Sequence, residues 1–146
     1  MKDKIVTRMI VEIMGAPKNH VEDTMKMVVE KFKAEPGLKV VKEKTADCRE
    51  TENKLWATFS EIEFEADNIQ KIAGICFDYM PSSIEILEPA GLDMDMAMLA
   101  DMFNEVLAKL HGYAMHAKKL EAENKLLNAR MDKMRNENLE LMKKVQ

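Results

Sequence analysis

Two kinds of hydrophobic spacing alternate over the first ninety residues. In four segments apolar residues recur at every second position, which is typical of strands with one buried face. These segments cover residues 5–14, 38–47, 54–65 and 83–87. Between them, spacings of three and four residues over about 19–34 and 67–80 predict two amphipathic helices. The order βαββαβ predicts an α+β domain with a four-stranded antiparallel sheet and two helices.

Polar residues mark the expected starts of both helices. Asn19 and Glu22 have the spacing of a capping box, in which two side chains satisfy backbone N–H groups of the first turn. Asp67 and Gln70 repeat this spacing before the second helix. A proline follows each helical pattern and ends it, because proline cannot continue the hydrogen-bond ladder.

The third strand changes phase along its length. Its apolar residues fall into two alternating sets, Leu55, Ala57 and Phe59 in one and Ile62 and Phe64 in the other. An extra residue in one strand of a pair exchanges the two faces. We therefore expect a β-bulge near Ser60–Glu61.

The last third of the chain has a heptad pattern. Apolar positions recur at alternating intervals of four and three residues, as in a coiled coil. These positions, called the seam below, are Leu99, Phe103, Val106, Leu110, Tyr113, Ala117, Leu120, Asn124, Leu127, Met131, Met134, Asn138, Leu141 and Val145. We predict one helix over about 93–146, with the seam as its dimerisation surface. The chain is thus divided into a globular domain, 1–90, and a coiled-coil helix, 91–146.

Two asparagines in the seam favour a particular partner. Asn124 and Asn138 occupy a positions, where a parallel homodimer lets each amide bond its symmetry mate. The flanking Arg130 would, however, face the partner's Arg135, which is a like-charge contact. We expect a parallel homodimer, and a coil with a different chain remains the alternative.

The start of this helix is apolar around more of its circumference than a two-stranded seam uses. Its methionines, Met94, Met96, Met98 and Met102, belong to the 14 in the chain. The surplus is expected to pack on the mixed outer face of the sheet, near Val6, Ile10 and Met14, or on the equivalent face of the partner. Methionine thioethers can also bind Cu(I), but adaptable packing is their commoner use, and we predict no metal.

Charge and length exclude several classes of partner. The net charge of −4 resides entirely in residues 1–90, while residues 91–146 balance nine acids against nine bases. Such a chain has no basic footprint for nucleic acid. It also has neither an apolar run long enough for a membrane span nor a signal peptide. We expect a cytoplasmic protein that binds neither membranes nor nucleic acids.

The side chains that could take part in chemistry do not form a known catalytic pattern. Cys48 and Cys76 form no CxxC motif, and three histidines show no metal-ligand spacing. The alternating acids Glu61, Glu63 and Glu65 could act as paired carboxylates, but a solvated strand face is the simpler interpretation. We predict no enzymatic activity and no cofactor.

One segment outside the seam combines aromatic, acidic and hydroxyl side chains. This candidate recognition loop comprises Phe77, Asp78, Tyr79, Ser82 and Ser83. The alternative is a helix stop, with the aromatic rings packed and the serines bonded to the backbone. We favour the helix stop.

The element order resembles the ferredoxin-like and ACT-like small domains over about residues 4–88. This resemblance implies a regulator that binds a small effector, an RNA binder or a dimerisation platform. The turn at 15–19 supplies the glycine, but not the acid, that ACT domains place after the first strand. We expect a non-enzymatic dimeric interaction or scaffold protein that presents its heads to protein partners. An ACT-like effector-binding module is the alternative.

Overall fold

The computed structural model describes residues 4–146, which form five strands and three helices. In chain order these are β1 (Ile5–Gly15), α1 (Lys18–Lys33), β2 (Leu38–Thr45), β3 (Arg49–Glu50), β4 (Trp56–Ala66), α2 (Ile69–Asp78), β5 (Ser83–Glu88) and α3 (Met96–Val145). The chain divides into two compact units after Met102. We call residues 4–102 the head.

The sheet is antiparallel, with the strand order β2-β4-β1-β5. The short strand β3 lies off this path and pairs with the beginning of β4. The α+β class and the long C-terminal helix are therefore confirmed. The sheet has five strands rather than the expected four, because part of the polar turn between two predicted strands pairs with β4.

The predicted bulge in β4 is wrong. β4 pairs with β1 in one unbroken register, from Ile5 opposite Ala66 to Gly15 opposite Trp56. Phe59 consequently lies on the outer face and is 45% exposed, while its polar neighbours Thr58 and Ser60 face the core.

Hydrogen bonds make this phase of β4 possible. The Thr58 hydroxyl donates to the Ala46 carbonyl over 2.6 Å, and the Ser60 and Thr45 hydroxyls lie 2.9 Å apart. Buried hydroxyls cost little when they are bonded. The extra residue lies instead in β2, where the pairing with β4 shifts at Val41.

The core lies between one face of the sheet and the helices α1 and α2. Its buried members are Ile5, Met9, Val11, Met25, Val29, Phe32, Ile62, Phe64, Ala66, Ile72 and Ile75. The Phe32 ring meets Phe64 and Tyr79 edge to face, with centroids 5.0 Å and 5.1 Å apart. This geometry suits the quadrupoles of aromatic rings, so α1 is fixed to both β4 and the end of α2.

Both helices of the head begin without the predicted capping boxes. The N-cap of α1 is Pro17, which makes no side-chain cap bond, so Asn19 lies inside the first turn. Pro17 is extended, with φ −75° and ψ 176°, and its carbonyl accepts a 3.3 Å bond from the Val21 N–H. For α2 the N-cap is Asn68 rather than Asp67, and its side chain accepts a 2.8 Å bond from the Lys71 N–H.

Candidate functional site

The seam lies on one continuous helix. α3 has 50 residues, which corresponds to about 75 Å at 1.5 Å per residue. It begins at Met96, slightly later than the sequence predicted, because Asp95 caps it: the carboxylate accepts a 2.7 Å bond from the Met98 N–H. Gly112 does not interrupt the helix.

The apolar side chains of the seam are exposed. Over its described length α3 contains no buried residue, although Leu99, Met102 and Val106 are partly covered. Large seam residues that remain exposed are Phe103, Leu110, Tyr113, Leu120, Leu127, Met131, Met134, Leu141 and Val145. Exposed apolar surface of this extent is typical of interaction surfaces.

Charged residues beside the seam pair within α3. Ion pairs four residues apart join Lys119 with Glu123, Lys125 with Glu121, and Lys133 with Glu137, at 4.0, 2.8 and 3.9 Å. Each such exposed pair stabilises a helix by about 0.3–0.5 kcal/mol. These pairs support the helical conformation without covering the apolar stripe.

The seam asparagines differ in their local contacts. The Asn128 amide donates to the Asn124 side-chain oxygen over 3.4 Å, which is a long hydrogen bond within one helix. Asn138 lies in a groove between Met131, Met134 and Leu139. Both amides are exposed and lie in the apolar stripe, where a partner could bond them.

The outer face of the sheet carries compensated charges. Arg8 bridges two strands, with guanidinium nitrogens 2.8 Å from Glu63 and 3.3 Å from Glu85. Its hydrogen bond holds the pKa of Glu63 below the ordinary value. Glu65 lies 3.6 Å from Lys4 and 3.9 Å from Lys39, so two of the three alternating acids are engaged with cations.

Tyr79 of the candidate recognition loop points inward. Its hydroxyl donates to Glu35 over 2.9 Å, and Lys71 donates to the other Glu35 oxygen over 3.1 Å. These two bonds hold the pKa of Glu35 below its usual range. Burial, followed by the hydrogen bond to Glu35, raises the pKa of Tyr79. The cluster joins the end of α1 to both ends of α2.

The other loop residues lie at the junction of α2 and β5. Ser82 bonds the Ile10 carbonyl through its N–H at 2.8 Å and its hydroxyl at 3.2 Å. Asp78 ends α2, Ser83 begins β5, and Phe77 is half-buried. The structure therefore fixes Tyr79 and Ser82 through contacts within the head, and Asp78, Ser82 and Ser83 are all exposed to solvent.

A cavity of about 580 Å³ lies in the head beside the start of α2. Its lining is Ile5, Asp67, Asn68, Ile69, Gln70, Pro89, Gly91, Leu92, Asp93 and Met98. Sequence reasoning did not identify this site, because its residues come from four separated segments.

The cavity places Met98 near Ile5, the buried first residue of β1. Met14, near the other end of β1 and on the outer face of the sheet, is 61% exposed. The predicted packing of the whole methionine cluster on that face stays a prediction.

Residues suited to metals or redox chemistry are dispersed. Within residues 4–146, no group of three or more histidine, cysteine or acidic side chains is arranged to hold a metal ion. Cys48 and Cys76 are free and half-buried, and burial raises the pKa of the Cys76 thiol. In the same described range, no helix combines the length and apolar character needed to cross a bilayer.

Comparison with known proteins gives one informative result. A protein-family model matches residues 6–145, which include nearly all of the head and of α3. No curated protein matches the chain, and no solved structure matches it. The matched residues therefore span both compact units of the chain.

Proposed function

The family model that matches residues 6–145 is that of the MJ0538 family, to which the chain therefore belongs, and on this premise we propose that it is a non-enzymatic dimeric scaffold. Two chains join through α3 as a parallel coiled coil and present their heads to other proteins. The exposed seam is the observation that carries this proposal. A single helix cannot keep so long an apolar stripe in water without a partner.

The asparagines support a second copy as that partner. In a parallel homodimer, Asn124 and Asn138 each meet their own symmetry mate and exchange amide hydrogen bonds. A foreign helix would need polar groups at both matching positions, since an unpaired buried amide costs about 1–3 kcal/mol. The contact between Arg130 and the partner's Arg135 weakens this dimer and identifies the point at which another chain could compete.

Size-exclusion chromatography with light scattering tests the assembly. The unmodified chain is expected to elute as a dimer at micromolar concentration. Leu120→Lys with Leu127→Lys removes four buried leucines from the dimer, about 6 kcal/mol or more, and should raise the Kd at least 10⁴-fold. The control, Ala122→Lys with Ala129→Lys, changes f positions away from the seam and should remain dimeric. A monomeric unmodified chain would contradict the proposal.

Cysteine cross-linking tests the orientation. With Cys48 and Cys76 replaced by serine, Leu141→Cys places one thiol at the far end of the seam. In a parallel dimer the two thiols face each other and form a disulfide. An antiparallel dimer centred near residue 125 would place Glu123 beside the partner's Arg130 and hold the two thiols about 45 Å apart. A dimer without this cross-link would overturn the parallel orientation.

For the head, we propose the ferredoxin-like arrangement with β3 as a small addition. The helices follow β1 and β4, and the four longer strands have the order β2-β4-β1-β5, which supports this assignment. An experimental structure with another strand order would overturn it. We place the dimer in the cytoplasm, because two unpaired cysteines fit a reducing compartment.

The cavity favours a second candidate function, the binding of a small effector by the head. Its volume of about 580 Å³ lies in the usual range of ligand pockets. The apolar side chains Ile5, Leu92 and Met98 line it together with the carboxylates Asp67 and Asp93, which suits an apolar ligand with an amino group. A thermal-shift screen of such amines tests this function. A ligand at 100 times its Kd should stabilise the head by about 2.7 kcal/mol.

A further inference from the structure

The two edges of the sheet differ in how they are protected. At one edge, β2 carries Lys39, Lys42 and Lys44 and contains the extra residue Val41. Lysines and bulges on an edge strand discourage pairing with another strand. At the other edge, β5 has the sequence Ser-Ile-Glu-Ile-Leu-Glu, with no lysine and no proline, and its own extra residue, Leu87, comes only after Ile84 and Ile86. Among the described residues β5 pairs with β1 alone, so its second row of backbone groups has no strand beside it.

Two isoleucines of β5 lie on the core face of the sheet, beyond the part that the helices cover. Ile84 lies opposite Met9, and Ile86 lies opposite Thr7, so both isoleucines belong to the face that the helices cover elsewhere. Met9 and Thr7 are completely buried, whereas Ile84 and Ile86 are 39% and 48% exposed. The helices therefore shield β1 but leave the apolar side of β5 partly in water.

We propose that β5 pairs antiparallel with β5 of a second copy, so that one sheet runs through two heads. This inference rests on the proposed function in one respect, since the coiled coil supplies the second head. A tether of this kind provides an effective concentration on the order of millimolar, so that a weak strand pair suffices. The pairing would satisfy the free backbone groups of both edges and bury the four isoleucines against each other.

Charge limits the register of this pair. With Ile84 opposite the partner's Ile84, Ser83 lies opposite the partner's Glu85, and no like charges face each other. Moving the symmetry axis by one residue would set Glu85 against the partner's Glu85, which is unfavourable for directly opposed side chains. In the proposed register, Glu85 keeps its ion pair with Arg8 of its own chain, 3.3 Å away.

The same asymmetry favours a second copy over other occupants. Symmetric pairing uses both β5 edges and leaves the lysine-bearing β2 edges at the ends of the joined sheet. The assembly therefore closes at two chains. Pairing of β5 with β2 of another copy would instead leave open edges and generate fibres.

Disulfide trapping in the full chain tests the pairing. In the background with Cys48→Ser and Cys76→Ser, Ile84→Cys places thiols on the proposed symmetry axis. Val41→Cys is the matched control, since Val41 is a 55% exposed apolar residue on the opposite edge. Under mild oxidation, Ile84→Cys should cross-link at least tenfold faster than Val41→Cys. Adding Leu120→Lys and Leu127→Lys should remove most of this advantage.

The outcomes separate this inference from the proposed function. A dimer in which Ile84→Cys and Val41→Cys cross-link at equal rates overturns the β5 pairing and leaves the coiled coil standing. A monomer by light scattering whose Ile84→Cys still cross-links preferentially overturns the coiled coil alone. A mixed disulfide between Ile84→Cys and Val41→Cys chains, formed faster than the Ile84→Cys disulfide, overturns the symmetric pair.

Hydrogen exchange provides a second measurement, made on the chain that carries none of the substitutions used for cross-linking. The β5 amides should exchange at least tenfold more slowly in the dimer than in the Leu120→Lys, Leu127→Lys chain. The amides of β2 should exchange equally in both. Equal exchange of β5 in the two proteins would overturn the inference.

Discussion

The head and α3 bury their apolar residues in different ways. The head places Phe32, Phe64 and Met9 out of water between the sheet and its helices. α3 contains a comparable series of leucines and methionines but buries none of them within its described length. An internal core makes stability a property of the single chain, whereas the proposed pairing of the seam would make it depend on concentration. We therefore expect substitutions in the head to change its free energy of unfolding, and substitutions in the seam to change the stability of the proposed dimer.

Among single substitutions, the largest effect is expected in the core of the head. Phe64→Ala should lower the free energy of unfolding of the head by about 3–5 kcal/mol, because a buried ring leaves a cavity. Denaturant unfolding followed by Trp56 fluorescence measures it. Phe59→Ala on the outer face of the same strand is the control and should cost less than about 1 kcal/mol. Equal costs would mean that the phase of β4 is wrong, and a dimer lost with Phe64→Ala would mean that the regions are coupled.

A seam substitution should act in the opposite sense. Asn124→Leu should stabilise the dimer by about 1.5–3 kcal/mol per chain, the gain from burying an aliphatic side chain. It should also loosen the register and the number of strands, which the buried amide specifies. Light scattering and the Leu141→Cys cross-link measure both effects. A weaker dimer that stays strictly two-stranded would contradict the heptad assignment.

A smaller stabilising change is available in the head. Thr7 is completely buried, and its hydroxyl has no hydrogen-bond partner among the described residues. Thr7→Val keeps the shape and removes the unbonded hydroxyl, which should raise the free energy of unfolding by about 1 kcal/mol. Thr58→Val is the matched control and should destabilise, since Thr58 donates to the Ala46 carbonyl. Destabilisation by both would indicate that the Thr7 hydroxyl is bonded.

The smallest effect concerns acid stability. The folded pKa of Glu35 is lowered by its bonds to Lys71 and Tyr79, so its contribution is full above the ordinary glutamate pKa of about 4.3. That contribution is lost as pH falls through the folded pKa. Glu35→Gln should cost about 1 kcal/mol at pH 7 and little at pH 2.5. Denaturant unfolding at the two pH values measures this difference, and an equal cost of Glu35→Gln at both would argue against the Glu35 cluster.

Hydrophobic spacing predicted most of the fold, because each element places most of its apolar residues on one face. The helices α1 and α2, the four longer strands and α3 all follow from that rule. Spacing failed in β4, where Thr58 and Ser60 take core positions and Phe59 does not. Hydrogen bonds to residues more than ten positions away satisfy those hydroxyls, and no local pattern shows such bonds.

The candidate sites differed in the same way. The seam could be predicted residue by residue, since a heptad is local, and the structure places all of it on one helix. Its pairing remains a prediction. The cavity and the exposure of Ile84 could not be predicted, because both depend on which strand lies at the edge and where separate loops meet.

The cluster of Glu35, Lys71 and Tyr79 has a consequence for how the head opens. α2 has ten residues, and an isolated helix of that length is marginal in water. Its two ends are attached to one carboxylate at the end of α1, with the Tyr79 ring also against Phe32. Fraying from either end must first break a bond to a neighbouring helix. α2 should therefore lack its own partial unfolding and exchange its amides together with α1, as a single cooperative unit.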